Sequence, residues 1–412
     1  MNYILKNVSK VNKENLFSFL VALVLITIPF PFIINSLAIV LFLGVALGML
    51  LLKRLKPEKK LNKISILLMS IYLLGAFSYL WSVDRVDTLS GMSSFISYFL
   101  LPVGFYIIQD LKINRRKILY AFAVVILLIN AYCFLSSIFN YFKFQNFEFL
   151  FYHNFSENFN NLNAIYLSVF TVVALAVFIF QNHKKAFDYF SLIFLIICLL
   201  LLSSKTVIFS GAIMFVMSLL IYRSKKAYKK KWILLISFVV ILSSFNIIKR
   251  FALEFERTNV HKVLTTKEFG WDYVWSGSGI RILQFRTFYD LAIKDKMYLS
   301  GYGLKASSKR IAEQHKEYKI YSKMIGINFH NQYLQILSEL GILGFLFLAV
   351  IFFMSLKKAV LHKDVLFLLF LFLIVFVCFT ESFLWRQRGM VLFISLLLLF
   401  YNTPKKIKLN NE

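Results

Sequence analysis

The sequence predicts an all-α polytopic membrane protein, with about twelve transmembrane helices and one large polar loop, on three observations. Hydrophobic residues make up 59% of the chain and charged residues 16%, whereas soluble domains run at about 45–50% and roughly 25%. Apolar runs of spanning length succeed one another with short polar gaps, and mean hydropathy over the whole chain is +0.71. A single long polar interval, about residues 249–331, interrupts that pattern.

With about 17–25 apolar residues taken as one span, nine helices precede the interval, at 16–34, 36–52, 64–81, 94–108, 118–139, 164–180, 187–202, 206–222 and 232–248. Three follow it, at 337–356, 365–379 and 390–401. The chain therefore divides into a nine-helix part (1–248), a loop (249–331) and a three-helix part with a tail (332–412). The first run follows Lys6, Lys10 and Lys13 but lacks a small-residue cleavage site, so it reads as an uncleaved helix that Pro29 and Pro31 bend or end.

Basic residues fix the orientation. With the N-terminus inside, the inside segments hold 27 lysines and arginines, and the short outside loops hold five: Arg85, Lys143, Lys205, Arg386 and Arg388. The opposite orientation inverts that asymmetry. Both termini are then cytoplasmic, and the long loop is expected outside, on the periplasmic face of a bacterial inner membrane. The formal net charge of +27 does not indicate nucleic-acid binding, because the cations sit in clusters between apolar runs rather than on one basic domain. Cys133, Cys198 and Cys378 all lie inside apolar runs without metal-ligand spacing.

Chemistry is expected in the outside segments. In the long loop, Ser276-Gly277-Ser278-Gly279 reads as a turn before a helix from Ile280 to about Lys294. On that helix Arg281, Phe285 and Phe288 share one face, suited to the membrane surface with the charge in reach of a headgroup. Gly301-Tyr302-Gly303 makes a tight turn, and 305–324 reads as a solvated helix. The loop holds His261, His315 and His330, and residue chemistry does not choose among them. Asp84 and Asp87 are spaced too loosely to argue for a metal pair over a polar interfacial loop. Residue by residue, the pattern predicts an outward-facing site for an anionic lipid, and no more.

The string His330-Asn331-x-Tyr333-Leu334-x-x-Leu337-x-Glu339-x-Gly341-x-x-Gly344 resembles the signature of the O-antigen ligase and O-antigen polymerase superfamily. Arg281-x-x-x-Phe285 followed by Gly301-x-Gly303 resembles the family's pattern upstream of that histidine. Ser203-Ser204-Lys205 sits where many members have Ser-Arg-Gly, so a lysine that keeps the charge but lacks the bidentate fork stands in for an arginine. Trp81-Ser82-x-Asp84 and Glu381…Arg386-Gln387-x-Gly389 also fit the family, and the specific portion runs over 281–344.

The resemblance implies transfer of a glycan from undecaprenyl pyrophosphate to a sugar hydroxyl on an acceptor glycolipid, either the lipid A core or a growing glycan, at the outer face. It gives Arg281 and Lys205 the developing pyrophosphate charge, with Arg386 and Arg388 as further cations. It makes His330 the general base that takes the hydroxyl proton, imidazole being the side chain whose free form suits that work near neutral pH. Asn331, Tyr333, Glu339, Gly301 and Gly303 are supporting residues. No metal and no cofactor is expected, since side chains meet the charge. A ligase is favoured over a repeat-unit polymerase. A polysaccharide flippase has similar spans, but such transporters commonly show internal repeats and polar residues near the midplane, and this sequence shows neither.

Overall fold

The computed structural model describes residues 2–181, 184–211, 259–270, 273 and 275–403, with residues 2–11 by backbone alone. Every regular element among them is helical. The first group is α1 (Asn2–Ile26), α2 (Phe32–Leu51), α3 (Lys63–Phe77), α4 (Arg85–Phe95), α5 (Ser97–Ile107) and α6 (Arg115–Phe144). A short α7 (Tyr152–Ser156), α8 (Ala164–Ile179) and α9 (Ala186–Leu202) follow, and another helix begins at Lys205. The loop contributes α10 (Val260–Thr265), α11 (Gly277–Asp295) and α12 (Ser307–Glu317). The last three are α13 (Gln332–Leu361), α14 (Val365–Cys378) and α15 (Gln387–Asn402).

Among the described residues, five helical stretches are long and apolar enough to cross a membrane: Phe32–Leu51, Lys63–Leu80, Arg85–Ile107, Arg115–Phe144 and Gln332–Leu361. α8, α9, α14 and α15 are shorter and equally apolar. The expected span at 232–248 and most of the one at 206–222 lie outside the described residues.

Local chemistry explains where elements differ from the sequence pattern. α1 ends at Ile26, and α2 starts directly after Pro31, which lacks the N–H a helix interior needs. Asn35 then donates to Val24 O at 2.9 Å and to Thr27 Oγ1 at 3.0 Å, pairing a carbonyl that this break frees. The segment 82–93, expected as a loop, is helical from Arg85. The Asp84 carboxylate caps it, accepting from Val86 N at 3.0 Å and Asp87 N at 3.1 Å, so it is a helix cap rather than half of a metal pair. Gly277 and Gly279 lie inside the first turn of α11, because Ser276 Oγ accepts from Gly279 N at 2.9 Å and caps the helix there. The helix expected over 305–324 is only the eleven residues of α12, and it buries Ile311, Gln314 and His315 rather than standing in solvent.

At the face opposite the loop, Arg115 pairs with Asp364, donates to Thr403 O at 3.1 Å and stacks 4.3 Å over Phe400. That contact ties α6, the start of α14 and the end of α15 together. Inside the bundle, Asn130 Nδ2 donates to Thr171 Oγ1 at 3.0 Å and links α6 to α8.

The loop is fastened to the bundle at a break in α13. Gly341 has φ 63° and ψ −164°, which interrupts the helix and releases the carbonyls before it. Tyr302 N donates to Ser338 O at 2.8 Å and Gly303 N to Glu339 O at 3.0 Å. A Cβ on Gly301 would lie 2.1 Å from Glu339 O, and one on Gly341 would lie 2.4 Å from Leu299 O. The two backbones meet this closely only because both positions are glycine.

Candidate active site

The residues that open α13 hold it to the α14–α15 connection. Asn331 Oδ1 caps the helix, accepting from Tyr333 N at 2.9 Å and Leu334 N at 3.1 Å, while its Nδ2 donates to Phe379 O at 3.0 Å. Gln332 Oε1 accepts from Leu384 N at 2.8 Å. Tyr333 donates through its hydroxyl to Val375 O at 3.0 Å and packs on Phe379 with ring centroids 4.8 Å apart. Gln335 reaches back, its Oε1 accepting from Phe329 N at 3.2 Å. The polar pattern of the string is thus a set of ties that fix the backbone on either side of His330.

His330 sits in the left-handed region, φ 47°, and its Nδ1 is 3.3 Å from Glu381 Oε2. Glu381 is buried and the imidazole is about one-third exposed (side-chain exposure 7% and 30%). A carboxylate on Nδ1 selects the tautomer that leaves Nε2 with its lone pair, the arrangement of a general base. Arg281 arrives from α11 and donates through Nε to Thr380 O at 3.2 Å, with Nη1 on Gly277 O at 2.9 Å. Arg281 and His330 therefore engage consecutive residues, Thr380 and Glu381, of one connection. Next to Arg281, Phe285, Tyr289 and Ile293 are exposed along α11 and suit a membrane surface, whereas Phe288 turns inward against Phe329.

Glu339 is buried beneath this arrangement. Its Oε1 accepts from Gln335 Nε2 at 2.6 Å, Trp385 Nε1 at 2.9 Å and Ser307 Oγ at 3.0 Å, so it joins the loop, α13 and the α14–α15 connection. Gly301 and Gly303 act through the docking described above. The other loop histidines separate cleanly: His261 is exposed on α10, and His315 is buried with Nδ1 3.2 Å from both Met324 O and Gly326 N. Burial takes the His315 pKa down to about 4, against the opposing Met324 carbonyl, so it is a neutral structural residue.

The remaining expected cations are dispersed along the same face. Arg386 is exposed beside Trp385. Arg388 turns away, donating to Asn160 O at 3.3 Å and lying 5.0 Å over Phe32. Lys205 is half-buried at the start of the helix that follows α9.

Two residues near the site were not singled out by the sequence pattern. Lys305 donates to Ser94 Oγ at 3.1 Å and lies 5.2 Å over Trp385 and 5.8 Å over Phe95. Burial lowers its pKa, with Glu339 and Asp87 opposing the shift and Arg386 adding to it. His153, on the 145–163 connection, has its pKa lowered by burial while Glu157 and then Glu381 oppose that shift. Glu381 thus acts on histidines from two separate segments. Lys305 is hidden in a charged stretch and His153 on a different connection, and no local spacing marks either.

The fold and site define a helical membrane protein in which α11 and the start of α13 bring a guanidinium and a carboxylate-bound histidine to a single connection. A family model described as O-antigen ligase matches residues 190–349, so this part of the chain is similar to the O-antigen ligase superfamily. The match includes Arg281, Gly301, Gly303, His330 and Glu339, and bears out the resemblance read from the signature string. It places the chain in membrane glycan biosynthesis of the ligase or polymerase kind. No curated protein matches the chain.

Proposed function

We propose that the protein is a metal-independent glycosyltransferase of the periplasmic face of a bacterial inner membrane, moving an undecaprenyl-pyrophosphate-linked glycan onto an acceptor sugar hydroxyl. The observation that carries this reading is the meeting of Arg281 with the His330–Glu381 pair on Thr380 and Glu381.

The acceptor hydroxyl attacks the anomeric carbon as the bond from that carbon to the pyrophosphate oxygen breaks. His330 Nε2 takes the hydroxyl proton, and the buried Glu381 carboxylate stabilises the imidazolium that forms. The leaving undecaprenyl pyrophosphate gathers negative charge, which Arg281 meets, with Lys205, Arg386 and Arg388 as further cations along the same face. Glu339, Asn331 and Tyr333 hold the reacting residues in place without touching the reacting atoms.

Purified protein in liposomes carrying lipid-linked donor and acceptor on the accessible face tests the reading. Transfer with release of undecaprenyl pyrophosphate, undiminished by a chelator, is expected. No transfer with any acceptor contradicts the activity, and loss on chelation that magnesium restores contradicts metal independence. The match is shared by ligases and polymerases, and the ligase-like reading is this proposal's choice between the two. A deletion strain separates the two: loss of a ligase leaves bare core and carrier-linked polymer, and loss of a polymerase leaves core bearing a single repeat.

A further inference from the structure

A cavity of about 510 Å³ opens where the loop meets the start of α4, within the usual ~300–1,000 Å³ of ligand pockets. Trp81, Asp295, Ser300, Lys309, Arg310 and Glu313 line it. None of these belongs to the His330–Arg281 arrangement. The Gly301-Tyr302-Gly303 turn forms one wall and separates the cavity from the Glu339 network.

The walls are held rigidly. Arg310 grips Asp295 with Nη2–Oδ1 at 2.8 Å and Nε–Oδ2 at 3.0 Å, and pairs with Glu313. The Tyr302 hydroxyl donates to Asp295 Oδ2 at 2.6 Å. Trp81 is 40% exposed, yet its Nε1–H is committed to Ser300 O at 3.1 Å, which fixes the indole as part of the lining. A tryptophan anchoring the protein at the membrane interface would instead offer that N–H to headgroups.

The charge of the lining selects the ligand. Two cations, Lys309 and Arg310, stand against two carboxylates, Asp295 and Glu313, in a chain whose overall charge is +27. A phosphate or pyrophosphate gains nothing net there and meets two carboxylates. A neutral polyol gains on every count. Its hydroxyls donate to the carboxylates and accept from the cations, and its C–H face packs on an indole whose polar edge is already paired. We propose that this cavity is a carbohydrate subsite, holding sugar residues of a glycan substrate away from the bond being made. The proposal deepens the transferase reading and rests on it for the identity of the glycan.

The test uses full-length protein labelled with 5-fluorotryptophan, whose five tryptophans are few enough to assign by substitution. The probe is the cell's own surface oligosaccharide, freed from its carrier by mild acid. A saturable shift of the Trp81 signal is expected, its affinity weakened roughly fivefold to tenfold in the surface variant Glu313→Gln. Equilibrium dialysis of the same oligosaccharide, which needs no reporter at position 81, should show a similar weakening in Trp81→Ala and near wild-type binding in Trp81→Phe. In the transfer assay the same two variants raise KM for the glycan substrate and leave kcat unchanged. A Trp81 signal that inorganic pyrophosphate moves and the oligosaccharide does not overturns the proposal. So does a wild-type KM in folded Glu313→Gln with unaltered oligosaccharide binding. Wild-type protein that binds the oligosaccharide at Trp81 but transfers nothing supports the subsite and refutes the transferase reading instead.

Discussion

Gly301→Ala tests the docking of the loop on the broken helix. The added Cβ lies 2.1 Å from Glu339 O, 2.3 Å from Glu339 C and 2.6 Å from Leu340 N, all rigid backbone atoms. Restoring an ordinary contact of about 3.5 Å forces the two segments apart by about 1 Å. The bonds from Tyr302 N and Gly303 N, now 2.8 and 3.0 Å, then exceed hydrogen-bond length. Losing both costs about 2 kcal/mol. Holding a residue with a Cβ at φ 76° adds roughly 1–2 kcal/mol. The expected loss of about 3–4 kcal/mol is a large fraction of the ~5–15 kcal/mol that stabilises a typical domain. Amide hydrogen exchange in detergent reads it directly: protection at Tyr302 and Gly303 falls while α6 and α8 stay protected. Gly48→Ala is the internal control, since a Cβ there meets nothing within 4 Å, and it should change stability by no more than ~1 kcal/mol. Unchanged protection at Tyr302 and Gly303 in Gly301→Ala refutes the docking.

Glu381→Gln keeps the shape of the His330 partner and removes its charge, so transfer should fall about 10²–10⁴-fold with a folded protein; a wild-type rate contradicts the pairing. Lys205→Arg retains the charge and should retain activity, and complete loss on measuring transfer would show that Lys205 does more than supply a cation. His315 is neutral in the folded loop while the unfolded chain takes up a proton below about pH 6.5. Its stabilising contribution is therefore full above that pH and drains away as the pH falls toward about 4, by at most about 3 kcal/mol. His315→Gln should flatten that slope in pH-dependent thermal unfolding, and an unaltered slope contradicts the assignment.

The spans were legible because lipid leaves so few ways to satisfy a backbone: α2, α6, α8, α9 and α14 lie within a few residues of the apolar runs. Polar segments were less legible, since their ends depend on side-chain caps such as Asp84 and Ser276. Within the site, the family signature marked His330, Asn331, Tyr333 and Glu339, but not what each touches. Glu381 lies 51 residues beyond His330, and the Glu339 network draws on Ser307 and Trp385. Gly301, Gly303 and Gly341 each read as a local turn or helix feature. Their shared reason, two backbones in contact, appears only when segments some 40 residues apart are brought together.

The central claim is that His330 removes the acceptor proton while Arg281 holds the leaving pyrophosphate. Its most direct test compares single-turnover transfer by wild-type and His330→Ala protein in liposomes preloaded with donor. A rate lower by about 10²–10⁴-fold, with donor binding unchanged, is predicted. Transfer by His330→Ala at the wild-type rate would contradict it.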